Sequence, residues 1–524
     1  MEEIMKSLAL VPVLLLCCAP LYAAGGDKTE TLPKGAVIET DPKYPPVVSY
    51  TLKNGLKLLI LEKTFVPTVS FAMTFKAGNV DCPQGKTGLA HVFEHMAFKG
   101  TKLMNTSNYK KEKVLLDQIE RTAQELIAEQ SLGTKANAAK VKELQAKLTG
   151  LEKDADAYSV NAEFVSTMEK LGANGLNAYT YVDETVYHMS LPADRLEAWM
   201  LLESDRFKNP VLREFYKERS VIMEERRRSE AEPGKVLFEA LSAAAFSAHP
   251  YRNPTIGWAD DLNKLTRTDA EEFYSRFYVP NNATLAVVGD VRPAEVIRLA
   301  EKYFSGWSRK ELPNTAYTVE PEQNAEKRVR VNFNAKPTLY IGFHNPGETH
   351  PDMPALIMLS EVFSSGKTGR FYRSLVEGKQ LALYAASSAN LMTSRYPSLF
   401  VLFAAPKAPH STEELEQGLW AEIENIKKTP PTAWEMEKIL NNYEAEMIRG
   451  MESNMDLAKN ISRSDRLLDD WKHNWKLIEK LKAVTPADVT LAAEKYLRRS
   501  NSTAASIHNP AAEAKAPEKG AENK

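Results

Sequence analysis

Residues 91–95 read His-Val-Phe-Glu-His within GKTGLAHVFEHMAFKGT. Turn formers flank the segment on both sides, so the spacing predicts a short helix. On a helix His91 and His95 project from one face a turn apart, with Glu94 beside them. Two imidazoles so placed can hold one metal ion while a carboxylate stands within reach of an attacking water. Zinc suits this donor set, needs no redox chemistry, and is expected at one ion per chain. The chain has only nine histidines, and an accidental HxxEH would arise in about one percent of chains of such composition. The alternative is a helix with two core or solvated histidines.

A catalytic metal site needs a third protein ligand. The other histidines, at 188, 249, 344, 350, 410, 473 and 508, form no partner set. Carboxylates in REFYKERSVIMEERRRSE are better candidates, because Glu218 and Glu225 are seven apart and share a helix face. Glu224 points about 100° away from Glu225 and is the weaker candidate.

The elements that carry these residues occur twice. LNKLTRTDAEEFYSRFYVPNNATLA, from Leu262, matches LKAVTPADVTLAAEKYLRRSNSTAA, from Leu481, without a gap at an offset of 219. Each copy reads as a capped helix, a turn and a strand. Upstream, VPTVSFAMTF from Val66 aligns with KPTLYIGFHN from Lys336 at an offset of 270, which lays HVFEH on EVFSS at 361–365. Glu361, Ser364 and Ser365 cannot rebuild the metal site, although Val362 and Phe363 keep the apolar positions. The expected fold class is therefore α+β, with two homologous domains of mixed sheet flanked by helices.

The two offsets differ by 51 residues, an excess that belongs to the first copy. Its place is about 105–159, where Val141, Leu144, Leu148 and Leu151 follow a heptad-like spacing in a polar, helix-rich stretch. An antiparallel helical hairpin is expected, acting as a solvated spacer rather than a docking arm. The domains are then expected at 40–307 and 329–508, joined by a polar linker at 308–328, with a disordered tail at 509–524.

Composition restricts the classes open to the chain. With 43% hydrophobic residues, 26% charged residues and a net charge of −2 over 524 residues, it is globular material of more than one domain. Nothing points to a nucleic acid partner, since the basic run at 226–228 reads as helix surface. SLALVPVLLLCCAPLYAA, after Met-Glu-Glu-Ile-Met-Lys, fits an export signal over 1–24, and no later segment approaches a membrane span. The product would be periplasmic or secreted; lipid anchoring through Cys17 or Cys18 is the lesser reading, because the residues before them are bulky. Cleavage would leave Cys82 as the sole cysteine, with no intrachain disulfide.

HVFEH followed far downstream by ERSVIMEE resembles the inverted-zincin metallopeptidases, the family of pitrilysin, insulin-degrading enzyme and the mitochondrial processing peptidase. VSYTLKNGLKLLI at 48–60, GLNAYT at 175–180 and the duplication extend the resemblance over most of the chain. It implies zinc on His91, His95 and Glu225, Glu94 as general base, and Glu218 as a supporting catalytic glutamate. It also implies that an extended substrate pairs with the edge strand at Asn177, Ala178, Tyr179 and Thr180, a stretch that otherwise reads as an ordinary strand. The implied activity is endopeptidase cleavage of peptides or unfolded segments.

One part of the pattern departs. Where members of the family carry an arginine and a tyrosine seven apart, LVEGKQLALY at 375–384 has Val376 and Leu383, with Tyr384 one position late and Arg373 three early. The chain is therefore expected to be a metal-bearing subunit whose related partner supplies that pair, with a homodimer as another possibility. Two further readings are a non-catalytic structural or chaperone-like subunit and an exported metal-binding protein without hydrolytic activity.

Overall fold

The computed structural model describes residues 31–315, 317–391 and 395–509. The expected export signal and all but the first residue of the expected tail lie outside them.

Among the described residues, twelve strands form two mixed sheets. The first contains β1 (Val37–Ile38), β2 (Val48–Thr51), β3 (Lys57–Glu62), β4 (Thr68–Phe75), β5 (Asn174–Thr180), β6 (Thr185–Pro192) and β7 (Ala283–Gly289), ordered β1-β2-β3-β7-β4-β6-β5. The second contains β8 (Lys327–Asn332), β9 (Leu339–Asn345), β10 (Ala382–Ser388), β11 (Ser398–Pro406) and β12 (Ser502–His508), ordered β10-β11-β9-β12-β8. Read from β8, the second sheet repeats the first from β3 onward. In each, one parallel pair, β3–β7 or β8–β12, lies beside an antiparallel remainder. The two mixed sheets flanked by helices expected from the repeat are what the chain forms.

The repeat is visible in detail. Helices Arg267–Phe277 and Pro486–Tyr496 both begin with capping boxes, Thr266 with Asp269 and Thr485 with Asp488, which satisfy otherwise orphaned backbone donors. After each helix an asparagine, Asn282 or Asn501, donates to the carbonyl of Phe277 or Tyr496 at 2.9 Å and fixes the turn into β7 or β12.

Sheet strands such as β4 are buried almost throughout because both faces are covered. Leu58 and Ile60 of β3 enter a core with Phe71, Phe75 and Phe93, while Leu59 and Leu61 point the other way. That opposite face is covered by a helix of the second half, Asn454–Leu468, through Leu457, Ala458 and Ile461. The second sheet is treated reciprocally. Helix Pro233–Ala245 of the first half lays Leu237, Leu241 and Ala245 on Leu399, Val401, Ala505 and Ile507. Each half therefore lends one helix to the other's sheet, and full burial of each leucine contributes about 1.5–3 kcal/mol to the junction. Polar contacts fix the register of the exchange: Thr74 meets Ser462 at 2.8 Å, and Asp465 accepts from Thr284 at 2.8 Å and pairs with Lys57.

The helical hairpin forms from Tyr109–Gln130 and Ala138–Asp156. The solvated-spacer expectation fails for its first helix. Glu112 pairs with Arg213 at 2.8 Å, both buried, and Glu120 accepts from the Tyr216 hydroxyl at 2.7 Å. Buried carboxylates of this kind hold a helix in place rather than leave it in solvent. Helix Ala138–Asp156 is the outer layer, burying little beyond Leu144 and Ala155. Among the described residues, 305–326 contain no helix or strand, yet Glu320 accepts from the backbone N–H groups of Ser247, Ala248 and His249 at 2.6–2.9 Å. No helix among the described residues is long and apolar enough to cross a membrane.

Candidate active site

The HVFEH segment lies in helix Leu89–Met96, entered through Gly88 at φ 81°, where a side chain would strike the Ile256 carbonyl. Val92 and Phe93 are fully buried, the Phe93 ring lying 4.1 Å from that of Tyr278. Anchoring this face turns His91 and His95 the other way, toward helix Phe215–Glu230. That helix buries Phe215, Tyr216 and Ile222 and presents Glu218 and Glu225 to the histidines.

Glu225 Oε2 lies 3.8 Å from Nε2 of both His91 and His95, and the three candidate donor atoms fall within 4.8 Å of one another. Tetrahedral zinc with bonds of about 2.0–2.2 Å sets its ligand atoms roughly 3.4 Å apart, so the three fit that ion with small adjustments. Glu225 is 48% exposed and free to make them. Glu218 meets Nδ1 of His95 at 2.9 Å, which leaves Nε2 to face the donor cluster. Glu218 is itself held by Lys99 at 2.6 Å. His91 Nδ1 is buried without a hydrogen-bond partner among the described residues. Glu224 turns outward and pairs with Arg227 at 3.1 Å.

Protonation follows from burial and neighbours. Burial drives the His91 pKa down to about 3, keeping the ring neutral as a ligand must be. Burial also pulls His95 down, but the hydrogen bond and charge of Glu218, helped by Glu94 and Glu225, outweigh it and leave the pKa raised. Glu218 is lowered to about 2, chiefly by His95 and then by Lys99. Burial raises the Glu94 carboxyl, partly offset by the Thr180 hydroxyl, which donates to Glu94 Oε2 at 2.6 Å.

Thr180 ends β5, the terminal strand of the first sheet. Asn177, Ala178, Tyr179 and Thr180 pair on one side with β6, opposite His188, Tyr187, Val186 and Thr185. The other edge has no strand partner among the described residues. A cavity of about 740 Å³, lined by His91, Thr180, Glu225 and Phe238 with Tyr340 and Phe403 of the second half, adjoins one end of the cluster. A second, of about 380 Å³, contains Glu94, His95, Phe98, Asn177 and Glu218. An extended chain along the edge would pass from one cavity to the other beside the three donors.

The departing stretch has a local explanation. Tyr372–Gly378 winds as a π-helix with Arg373 exposed, and β10 carries a bulge at Leu383: Ala382 pairs with Pro406, but Tyr384 pairs with Ala405. The bulge absorbs one residue, so Tyr384 takes the pairing place that Leu383 would hold in a regular ladder. Val376 packs against the core of the second half. Sequence spacing did not reveal this, nor the Lys99 contact or the Thr180–Glu94 hydrogen bond, which spans 86 positions. For Lys99 the only local signal is its place one turn after His95.

Fold and side-chain cluster together define a duplicated α+β protein with a histidine–carboxylate centre beside an open sheet edge. The model described as "Insulinase (Peptidase family M16)" matches 57–119 and 153–258, and that described as "Peptidase M16 inactive domain" matches 264–443. The chain belongs to this M16 peptidase family. The match omits 120–152, a narrower segment than the expected 105–159 and one that takes in the hairpin's turn and most of its outer helix. Zinc protease PqqE of Helicobacter pylori is 28% identical over 433 residues, 81% of this chain and 84% of its own length. A mitochondrial-processing peptidase subunit beta of Lentinula edodes is 22% identical over 85% of this chain and 86% of its own. Among solved structures, a protease from Helicobacter pylori superposes with a TM-score of 0.73 and 26% identity, covering 89% of this chain and all of that one. The periplasmic protease PqqL from Escherichia coli shares the fold at a TM-score of 0.68 and 18% identity, and this chain spans 49% of its length.

Proposed function

We propose that the chain is a zinc-dependent endopeptidase acting on peptides or unfolded protein segments. The observation that carries this reading is the convergence of His91, His95 and Glu225 beside Glu94, at a sheet edge open to an extended chain. His91, His95 and Glu225 would hold one zinc ion, with Glu218 orienting His95. Zinc, when bound, supplies Lewis acidity at the substrate carbonyl and lowers the pKa of an attacking water. Glu94 takes the proton from that water, holds it on a carboxyl whose pKa burial already raises, and delivers it to the leaving amine. Thr180 keeps the carboxylate aimed through its hydroxyl. Backbone groups of Asn177–Thr180 align the substrate by adding it to the sheet.

The chain is proposed to be the metal-bearing member of a pair, with a related subunit completing the enclosure and supplying the arginine that Val376 replaces; a second copy of this chain would carry the same valine and could not supply it. Support comes from its span of about half of the Escherichia coli protease and from the subunit named among its relatives. Export to the periplasm or outside the cell is proposed from the apolar leader. The reading is tested by assaying the purified mature chain on unstructured peptides, with and without a chelator, alone and with a co-purifying homologue. Chelator-sensitive cleavage that rises when the homologue is added is expected. Full activity of the isolated chain would overturn the pairing, and activity indifferent to the chelator would overturn the zinc reading.

A further inference from the structure

The turn that joins β5 to β6 is gripped from the second half of the molecule. Tyr181–Glu184 is a tight turn closed by the Tyr181 N–H to the Glu184 carbonyl at 2.8 Å. At the tip of an edge hairpin, Asp183 and Glu184 would ordinarily face water. Instead their side chains are 0% and 1% exposed. Arg395, in the β10–β11 connection, donates its backbone N–H to Asp183 Oδ2 at 2.8 Å and its Nε to Oδ1 at 3.4 Å. Its Nη2 reaches Asp81 at 3.1 Å, and the Tyr251 hydroxyl donates to the Asp183 carboxylate at 2.8 Å. Arg463, on the exchanged helix Asn454–Leu468, donates Nε to Glu184 Oε1 at 3.2 Å and Nη2 to Glu348 at 3.1 Å.

The turn backbone is pinned as well. Asn79 and Val80 donate to the carbonyls of Tyr181 and Val182 at 3.1 and 2.8 Å, and a side chain at Gly78 would collide with Val182 and Glu184. Thr180, whose hydroxyl reaches Glu94, is the residue immediately before this turn. Burying two carboxylates costs several kcal/mol per ion unless both are paired; Asp183 is bonded through both oxygens, whereas Glu184 is held through Oε1 alone, its Oε2 buried without a partner among the described residues. An edge hairpin with a ladder on one side only is among the looser parts of a sheet. We propose that Arg395 and Arg463 are positioning residues of the reaction: by clamping Asp183 and Glu184 they fix the hairpin tip and hold Thr180 against Glu94. The second half, which holds no group of candidate metal ligands among its described residues, thereby sets the geometry of the first half's site. Arg395 comes from the counterpart of the turn it grips, so the contact joins equivalent loops of the two copies.

This inference rests on the peptidase reading for its kinetic readout but not for its structural one. The test uses the full mature chain carrying Asp183→Asn with Glu184→Gln, which keeps shape and leaves both arginines their other carboxylates, Asp81 and Glu348. Hydrogen exchange at the Tyr181 amide should accelerate about tenfold or more relative to amides inside β3, with bound zinc unchanged. Turnover should fall about 10- to 100-fold in kcat with little change in KM, as a small misplacement of a catalytic group produces. The loss should be less than additive with that of Thr180→Val. If the pair of substitutions prevents folding, Arg463→Lys, which keeps the charge but not the two-pronged contact, carries the same measurements. Unchanged exchange at the turn in a folded variant, or additivity with Thr180→Val, would overturn the clamp. An unsubstituted chain that stays inactive even with the co-purifying homologue added would count against the peptidase reading instead, and the exchange result alone would then decide the clamp.

Discussion

The same corner of the fold is built twice, with different chemistry. In the first half, Glu94 on the motif helix accepts a hydrogen bond of 2.6 Å from Thr180 at the end of the edge strand. In the second half, Ser364 stands at the matching helix position and meets Ser387 of the edge strand β10, also at 2.6 Å. Val92 and Phe93 are buried in one copy, Val362 and Phe363 in the other. A polar link between helix and edge strand thus belongs to the frame, whether or not a metal site is built on it. His91 and His95 are the additions, and in their places the second half has Glu361 and Ser365. Burial, reinforced by Glu446, raises the Glu361 carboxyl, an environment that disfavours the charged form a cation site needs.

The sharpest way to break the comparison is to make the first site a copy of the second. His91→Glu with Glu94→Ser and His95→Ser should abolish bound zinc and lower peptide cleavage by about 10³-fold or more, while circular dichroism shows the fold retained. Zinc still bound at one ion per chain would mean that the ligands lie elsewhere. Next in size are the shared anchors. Phe93→Ala and Phe363→Ala should each cost about 3–5 kcal/mol in denaturant unfolding, and the second should leave the zinc content of the surviving folded chain unaltered. Glu218→Gln should weaken zinc about 10- to 100-fold in chelator competition, whereas Ser387→Ala, in the half without ligands, should not move it. The smallest effect belongs to the repeated caps. Thr266→Ala and Thr485→Ala should each cost about 1 kcal/mol, equally in the two halves; a marked inequality would show that the halves do not share the same helix start.

Much of this frame was legible in the sequence because its signals are local or periodic. HVFEH lies within about one helical turn, Glu218 and Glu225 share one face, and a 219-residue offset relates whole helix–turn–strand units. Contacts between distant segments were not legible. Leu457 and Ile461 are four apart, a spacing common to any amphipathic helix, and nothing in it says that the sheet they cover belongs to the other half. Tyr384 looked one residue out of place because a bulge is a feature of pairing, not of composition. The hairpin's first helix looked solvated because Glu112 and Glu120 are polar residues, and the partners that bury them, among them Arg213, Tyr216 and Thr268, lie far along the chain.

The central claim is that Glu94 moves the proton while His91, His95 and Glu225 hold the metal, and Glu94→Gln separates the two roles in one preparation. Bound zinc and peptide turnover would be measured side by side on the variant and the unsubstituted chain. The account predicts one zinc ion per chain in both and a fall in kcat of about 10²- to 10⁴-fold in the variant. Unchanged turnover with zinc in place would contradict it.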